Sequence, residues 1–144
     1  MKTVQQLLEV RPHDIWSVTT DSSVYEANKL MADKNVGALL VLEAGKLVGI
    51  LSERDCARKL ILTGRYSKDT LVRDIMTKEV IYARPERTIE ECMVLMTEKH
   101  IRHLPVLKDD QLIGIVSIVD IVKSIISEKE VIIEQLDHYI TTGH

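Results

Sequence analysis

Two short stretches of the sequence carry the same pair of polar side chains at the same spacing. Ser52 stands three residues before Asp55, and Ser117 stands three residues before Asp120. Each pair follows an apolar run that predicts a buried strand, so each falls where a helix begins. A serine hydroxyl there can donate to a phosphate oxygen, and an aspartate carboxylate can accept from both hydroxyls of a ribose. Serine and aspartate are also common helix caps, so the spacing alone leaves both interpretations open.

The two pairs belong to an internal repeat of 65 residues. In that register Met31 falls on Met96 and Gly49 falls on Gly114 without a gap. The same register also matches Glu26 with Glu91, Leu39 with Leu104, Val41 with Val106 and Asp55 with Asp120. Identities of this density in one register predict a chain built from two copies of one unit.

Each copy predicts the same order of elements, β-α-β-β-α. Opening strands are expected at 15–18 and 80–83, and the first helices are expected to begin at Ser23 and Thr88, with a glutamate three residues later. Two apolar strands joined by a short polar hairpin follow in each copy. The predicted fold class is therefore α/β (α+β), with small sheets and external helices.

The repeats set the expected organisation of the chain. Repeat one is assigned to 10–64, a connector to 65–78, repeat two to 79–125 and a helical tail to 126–144. The connector predicts a short helix at 71–76, capped from Asp69 or Thr70. The tail carries an apolar stripe that includes Ile125, Ile126, Val131, Ile132, Ile133, Leu136 and Tyr139. A partner subunit is the favoured cover for this stripe, and packing back on its own chain is the alternative.

Composition narrows the classes of function. The net charge of -3 argues against nucleic acid as the main partner, because such binding depends on lysine and arginine neutralising phosphates. No apolar run is long enough to span a membrane. The first twelve residues have no apolar core of a secretory signal, so a cytoplasmic location is expected. Cys56 and Cys92 are far apart in the sequence and predict two ordinary thiols.

Neither a metal centre nor a catalytic site is predicted. His100 and His103 stand three apart at the start of a strand, without a cysteine or carboxylate cluster, and this is a poor zinc site. The sequence lacks the Gly-x-Ser-x-Gly, His-Glu-x-x-His and Gly-x-Gly-x-x-Gly patterns. Nucleophile and base candidates do not converge, so we expect no catalytic residue, no catalytic cofactor and no enzyme activity.

The repeated motif resembles that of a known family. The runs Val48–Asp55 and Ile113–Asp120, with Arg102–Val106 and the pair Met76-Thr77, resemble the cystathionine-β-synthase (CBS) motif. The resemblance covers roughly residues 10–125. It implies a Bateman module, in which two repeats pack their small sheets face to face about a pseudo-twofold axis. Two clefts result, which in the family often bind AMP, ATP, NAD or S-adenosylmethionine, and modules commonly pair into a disc of four repeats.

The resemblance also implies roles for single residues. Asp55 and Asp120 would hold ribose hydroxyls, and Ser52 and Ser117 would contact phosphate. Arg54, Arg102 and His103 would supply cations for the phosphate. Thr77, Val80 and Tyr82 would lie beside the adenine. The predicted nucleotide-binding set is completed by the remaining residues near the clefts, namely Thr19, Ala38, Ile50, Pro105 and Ile115. Since Arg102 and His103 both lie in repeat two, we expect the principal cleft there.

Three hypotheses about function follow. The first is a sensor that binds AMP, with NAD(H) or ATP as alternatives, and signals energy or redox state to an unidentified partner protein. The second is a structural homodimerisation module whose clefts stay empty. The third is an enzyme such as a nucleotide hydrolase, which we do not favour because two repeats leave no room for a separate catalytic domain.

Overall fold

A computed structural model describes residues 2–11 and 14–141, with the side chains of residues 139 and 141 left out. Residues 12–13 of the predicted repeat one and residues 142–144 of the predicted tail lie outside the described residues. The side chain of Tyr139, which was assigned to the apolar stripe, also lies outside them. The α-helices are α1 (Val4–Val10), α2 (Val24–Lys34), α3 (Glu53–Cys56), α4 (Val72–Ile75), α5 (Ile89–Lys99) and α6 (Ile118–Thr141), and a π-helical segment (Ala57–Ile61) follows α3 while a 3-10 turn spans Ser67–Asp69. The strands are β1 (Ser17–Thr19), β2 (Ala38–Glu43), β3 (Lys46–Ser52), β4 (His103–Lys108) and β5 (Gln111–Ser117). The predicted mixed fold with small sheets is confirmed.

The chain divides into two compact units. The first unit is Asp14–Ile81, and the second unit combines residues 2–11 with residues 82–141. The first unit therefore contains repeat one together with the connector helix α4. The second unit contains repeat two together with α1, a helix from the other end of the sequence.

The first unit is built on a three-stranded sheet in the order β1-β2-β3. β1 runs parallel to β2, and β2 pairs with β3 as an antiparallel hairpin. The predicted hairpin turn is confirmed at Ala44 and Gly45, which both have positive φ (50° and 79°). Two such residues in a row twist the chain in the sense that suits a tight β-hairpin. Leu39, Val41 and Leu51 are fully buried against the helices of this unit.

Helix α2 begins as predicted, whereas the predicted cap of α4 is wrong. Ser23 Oγ accepts from the backbone N–H of Glu26 at 3.1 Å, which satisfies one of the free donors of the first turn. The cap of α4 is Leu71, and its N–H donates to the Asp74 carboxylate at 3.4 Å. Thr70 stands one residue before this cap, and its hydroxyl donates to the carbonyl of Tyr66 at 2.8 Å.

The second unit pairs β4 with β5, but the strand predicted at 80–83 does not form. Within the described chain, Ala83 alone of these four residues bridges β4, opposite Val106. In the first unit, Leu40 N–H donates to Trp16 O at 3.3 Å and helps to hold β1. The repeat places Pro105 where Leu40 stands, and proline has no N–H to donate. The second copy therefore loses this hydrogen bond.

Helix α1 was not predicted, although its cap is visible in the sequence. The Thr3 hydroxyl accepts from the N–H of Gln6 at 3.3 Å, and the Gln6 side chain accepts from the N–H of Thr3 at 2.9 Å. Val4 N–H donates to Arg87 O at 2.8 Å, which ties the helix to the turn before α5. Val4 and Leu7 are completely buried, so α1 belongs to the core of the second unit.

Only the first turns of helix α6 pack against the rest of the second unit. Its first turns pack on α5 and β5, and Ile121 is fully buried there. From Lys129 onward every side chain that the structure describes is exposed, including Ile132, Ile133 and Leu136. Packing of the tail stripe back on its own chain is therefore not observed. No helix in the described ranges is both long and apolar enough to cross a membrane.

Candidate functional site

In the first unit, Ser52 and Asp55 cap each other at the junction of β3 and α3. Ser52 Oγ accepts from Asp55 N–H at 3.1 Å. In return, Asp55 Oδ2 accepts from both the N–H and the hydroxyl of Ser52, at 3.0 and 3.1 Å. This is a complete capping box in which aspartate takes the place of the usual glutamate. The single proton of the Ser52 hydroxyl is therefore directed at Asp55.

The other oxygen of Asp55 has two further donors. Thr77 Oγ1 donates to Asp55 Oδ1 at 3.1 Å, and Lys59 Nζ lies 3.2 Å from the same atom. Lys59 Nζ also donates to the carbonyl of Ile75 at 3.2 Å, at the end of α4. Lys59 is missing from the predicted set. Its spacing of four residues from Asp55, typical of a helical ion pair, is the signal that would have found it.

The connector approaches β3 closely at Gly49 and Ile50. Ile50 and Thr77 exchange two backbone hydrogen bonds, at 3.0 and 2.9 Å. A Cβ on Gly49 would lie 2.7 Å from Met76 Sδ and 3.1 Å from the carbonyl oxygen of Thr77. The absence of a side chain at Gly49 therefore lets the connector approach β3 closely.

The predicted residues of the first unit are only partly brought together. Ala38 pairs with Ser52 across the hairpin, so Ala38, Ile50, Ser52, Asp55 and Thr77 share one end of the sheet. Thr19 pairs instead with Leu42, four residues further along β2, or roughly 13 Å away. Arg54 is exposed on α3, and Val80 is half-buried beyond the connector.

In the second unit the predicted residues meet at the corresponding end of the hairpin. His103 pairs with Ser117, and Pro105 pairs with Ile115. Ile118 N–H donates to Arg102 O at 2.9 Å, which repeats the bond from Glu53 N–H to Gly37 O in the first unit (3.0 Å). Asp120 N–H donates to Ser117 Oγ at 3.1 Å, so Ser117 caps α6 as predicted for a helix start.

Asp55 and Asp120 are both buried, with relative exposures of 9% and 8%. Three other predicted side chains are more open, since Arg102 and Tyr82 are exposed and His103 is half-buried. A buried carboxylate must be offset by donors or cations, because burial penalises its charged form. The duplicated aspartates are therefore the most constrained polar groups of the predicted set.

Ser124 occupies in the second unit the repeat position of Lys59 in the first, since 59 + 65 = 124. It is only 4% exposed, and its hydroxyl has no hydrogen-bond partner among the described residues. It stands four residues after Asp120, as Lys59 stands four residues after Asp55. The two copies therefore differ at this position in the charge, the length and the hydrogen bonds of the side chain.

Neither cysteine forms a reactive centre. Cys56 Sγ donates to Asn28 Oδ1 at 3.2 Å, and burial raises the pKa of the Cys56 thiol to about 11. Burial likewise raises the pKa of the Cys92 thiol to about 11. No group of three histidine, cysteine, aspartate or glutamate side chains within residues 2–11 and 14–141 is arranged to hold a metal ion.

Comparison with known proteins settles the family. Two CBS domains match the chain, over residues 9–62 and 72–127. The chain belongs to the CBS-domain family. CBS-domain protein CBSX3 of Arabidopsis thaliana, which is named as mitochondrial, is 47% identical over 88% of this chain and 64% of its own length. This chain therefore spans just under two thirds of that relative. A solved CBS-domain protein from Burkholderia ambifaria is 50% identical, with a TM-score of 0.85 over 88% of this chain and 95% of that one.

Two further CBS relatives bear on ligands and on catalysis. The CBS-domain pair of protein MJ0100, solved in complex with 5′-methylthioadenosine and S-adenosylmethionine, is 25% identical, with a TM-score of 0.76 over 89% of this chain and 98% of that one. Inosine-5′-monophosphate dehydrogenase of Methanocaldococcus jannaschii is 33% identical over 85% of this chain but over only 24% of the enzyme. The likeness to that enzyme is thus confined to its CBS part, and a CBS pair is a regulatory module.

Proposed function

We propose that this CBS pair is a sensor that binds an adenosine nucleotide and signals cellular energy or redox state to a partner protein. AMP is the favoured ligand, with ATP and NAD(H) as alternatives. The observation that carries the proposal is the burial of Asp55 and Asp120 at the same position of each repeat. Each of these carboxylates stands at a helix start and, as an acceptor, fits the paired hydroxyls of a ribose.

The ligand class is supported by chemistry and by a relative. The start of α6, a helix of 24 residues, offers backbone N–H groups and a partial positive charge that favour a phosphate. The MJ0100 CBS pair binds two compounds that both contain adenosine. The adenosine part is common to AMP, ATP and NAD(H), so all three belong in the test.

We place the principal site in the second unit. Arg102 and His103 stand at the same end of the hairpin as Ser117 and Asp120. Arginine suits a phosphate because its planar guanidinium can donate two parallel hydrogen bonds. In the first unit the corresponding positions are Gly37 and Ala38, which carry no charge.

The alternative is a ligand-free module that joins two copies of the chain. It is favoured by the exposed apolar side chains of the extended part of α6, namely Val131, Ile132, Ile133, Leu136 and Ile140. We propose that the chain forms a homodimer with four repeats in a disc, and a homodimer is compatible with either function.

The proposal includes a cytoplasmic location, which cell fractionation tests against the mitochondrial location named for the Arabidopsis relative.

Thermal unfolding in the presence of nucleotides tests the proposal. Melts with AMP, ATP, NAD⁺, NADH and S-adenosylmethionine should show stabilisation by at least one of them. A ligand at 100 times its dissociation constant stabilises by about 2.7 kcal/mol, which raises Tm by several degrees for a chain of this size. No shift with any of the five would favour the ligand-free module. Nucleotide converted to product on incubation would instead support an enzyme.

A matched pair of variants connects the shift to the proposed site. Asp120→Asn removes the charge of the buried carboxylate and should abolish the Tm shift. Asp110→Asn removes the same charge from the exposed hairpin turn, where φ is 64° and asparagine is well tolerated. This control should keep the shift. Equal shifts in both variants would contradict a role for Asp120 in binding.

A further inference from the structure

We propose that the exposed part of α6, residues 129–140, binds to the first unit of a second copy of the chain. The receiving surface, the basic patch, consists of Arg58, Ile61, Leu62, Arg65 and Tyr66. This inference rests on the homodimer of the proposed function and names the residues that each copy offers to the other. It does not involve the nucleotide, so the sensor function and the docking of α6 can fail separately.

The basic patch carries apolar side chains that are unusually open. Ile61, Leu62 and Tyr66 are 70%, 79% and 76% exposed. Together with Ile140 of α6, they are the four most exposed large apolar side chains among the described residues. Single exposed apolar residues are common on protein surfaces, whereas a contiguous group of them marks an interaction site. Three such residues within six positions of the sequence form a group of this kind.

The backbone beneath the basic patch is held in place by its own unit. Leu60 is only 4% exposed and anchors the segment in the core of the first unit. Thr63 Oγ1 donates to the carbonyl oxygens of Lys59 and Leu60, at 2.8 and 3.1 Å. Arg65 N–H donates to Leu60 O at 3.0 Å. The patch therefore has a fixed shape before a partner binds, and this lowers the entropic cost of association.

Charges of opposite sign accompany the apolar residues of the two surfaces. Residues 57–68 contain four lysines and arginines and no acidic residue, a charge of +4. Residues 129–140 contain one lysine and three acidic residues, a charge of 1 − 3 = −2. Arg65 and Glu130 stand at the same repeat position, since 65 + 65 = 130. Opposite charges on two surfaces favour their encounter and fix the orientation in which they meet.

The acidic side chains of α6 border its apolar stripe. Residues three, four and seven apart lie on the same side of an α-helix. Glu130 and Asp137 are seven apart, and Ile133 lies three residues after the first and four before the second. All three side chains are exposed. The twelve residues 129–140 extend for about 18 Å and present an apolar stripe with an acidic edge.

A second copy is the occupant that these observations favour. One chain provides both surfaces, and the apolar residues of each are exposed in the single copy. In a dimer with twofold symmetry the contact forms twice, because α6 of each copy meets the basic patch of the other. Exposed ion pairs contribute little singly, so the apolar side chains supply most of the affinity and the charges select the partner.

Charge reversal on each surface, followed by mixing, tests the docking on the full chain. Glu130→Lys with Asp137→Lys reverses the edge of α6, and Arg58→Glu with Arg65→Glu reverses the basic patch. Each double variant alone sets like charges against each other and should raise the dimer Kd at least about tenfold at low ionic strength. Sedimentation equilibrium measures this Kd.

Mixing the two double variants should restore the dimer. In the mixed dimer both contacts again join opposite charges, so its Kd should lie within about threefold of the wild-type value. Either variant mixed with the wild type regains only one of the two contacts and should bind less tightly. Lys29→Glu with Lys46→Glu reverses two exposed cations of the first unit outside the patch and should leave the Kd unchanged. Circular-dichroism melts establish that each variant is folded.

Each outcome bears on a distinct proposal. A wild-type dimer whose Kd neither double reversal changes would overturn docking on the basic patch and leave the homodimer standing. Weakened variants that do not associate when mixed would also overturn docking, because the reversed charges would not face each other. A monomeric wild type, including one in which α6 folds onto its own first unit, would overturn docking and the homodimer together. Restored association in the mixture, without any Tm shift from nucleotides, would support docking and overturn the sensor function.

Discussion

Thr77 Oγ1 donates a hydrogen bond to Asp55 Oδ1 at 3.1 Å, across 22 residues of sequence. Thr77 follows the connector helix, and Asp55 lies in the first turn of α3. The bond therefore fastens the connector to the helix start in repeat one. It also brings together two residues of the predicted nucleotide-binding set, one named as a neighbour of adenine and the other as a partner of ribose.

Thr77→Val should destabilise the chain without changing its shape. Valine keeps the branched form of threonine but leaves Asp55 one donor short. Losing a hydrogen bond to a charged group costs about 1.5 to 3 kcal/mol, so the free energy of unfolding in urea should fall by about that amount. Thr77→Ser keeps the hydroxyl and should lose clearly less. Equal stability of the valine variant and the wild type would show that this bond contributes nothing.

Gly49→Ala should destabilise the first unit. The added Cβ would lie 3.1 Å from the backbone oxygen of Thr77, which two hydrogen bonds to Ile50 hold in place. Overpacking of this kind costs about 1 to 3 kcal/mol. The matched change in the second unit is Gly114→Ala, where the nearest atom is the flexible tip of Leu8 at 2.8 Å.

Leu8→Ala should therefore restore part of the stability that Gly114→Ala loses. The same Leu8→Ala change should not restore the stability that Gly49→Ala loses. Urea unfolding of the single and double variants measures the coupling. Additive effects of Leu8→Ala and Gly114→Ala would rule out the contact.

The two thiols should resist labelling in the folded chain. Burial raises the pKa of both from 9.0 to about 11, and the thiolate is the form that reacts. At pH 8 the thiolate fraction is then about a hundredfold lower than in the unfolded chain. Reaction with a disulfide reagent should be slower by at least that factor than in guanidinium. The variants Cys56→Ala and Cys92→Ala assign each rate, and a thiol that reacts equally fast in both states would contradict its burial.

The same pKa shifts set a dependence of stability on pH. The unfolded chain releases its thiol protons near pH 9, while the folded chain keeps them until about pH 11. The contribution of the two thiols to the free energy of unfolding is therefore complete below pH 9 and is lost as the pH rises toward 11. A double Cys→Ala variant should lose less stability over this range than the wild type. Identical slopes in the two proteins would show that the thiols titrate normally.

Ile132→Glu should break the proposed homodimer. It places a charge in the exposed apolar stripe of α6, which a partner copy would have to bury. Light scattering after gel filtration should change from dimer to monomer. Ser127→Glu adds the same charge on the opposite face of the helix and should remain dimeric. A monomeric wild type, or a dimer that survives Ile132→Glu, would contradict the role of the stripe.

Local features of the fold were predictable because their physical causes are local. The caps at Ser23 and Ser117 act over three residues, and the hairpin turn at Ala44 and Gly45 needs only a polar pair between two apolar runs. The repeat then doubles each of these observations. Even α1 carries a readable cap at Thr3 and Gln6, but the repeat offers no second copy of this helix to support it.

The features that sequence analysis missed depend on interactions between distant residues. Pro105 weakens a strand more than twenty residues away because it lacks a donor that its counterpart Leu40 supplies. The spacing of Lys59 from Asp55 could be read from the sequence, but its second partner, Ile75, lies 16 residues away and meets it only in the folded unit. A motif shared by both repeats also conceals the positions at which the copies differ, and Lys59 and Ser124 are such a pair.

The membership of α1 in the second unit has a consequence during synthesis. Leu8 is made before Gly114, against which it packs, and the two are separated by 106 residues of sequence (114 − 8). Synthesis proceeds at about 5 to 20 residues per second, so the apolar side of α1 stays exposed for roughly 5 to 20 seconds before Gly114 is made. During that interval all of Asp14–Ile81 has been made, while the apolar side of α1 still lacks the residues that bury it.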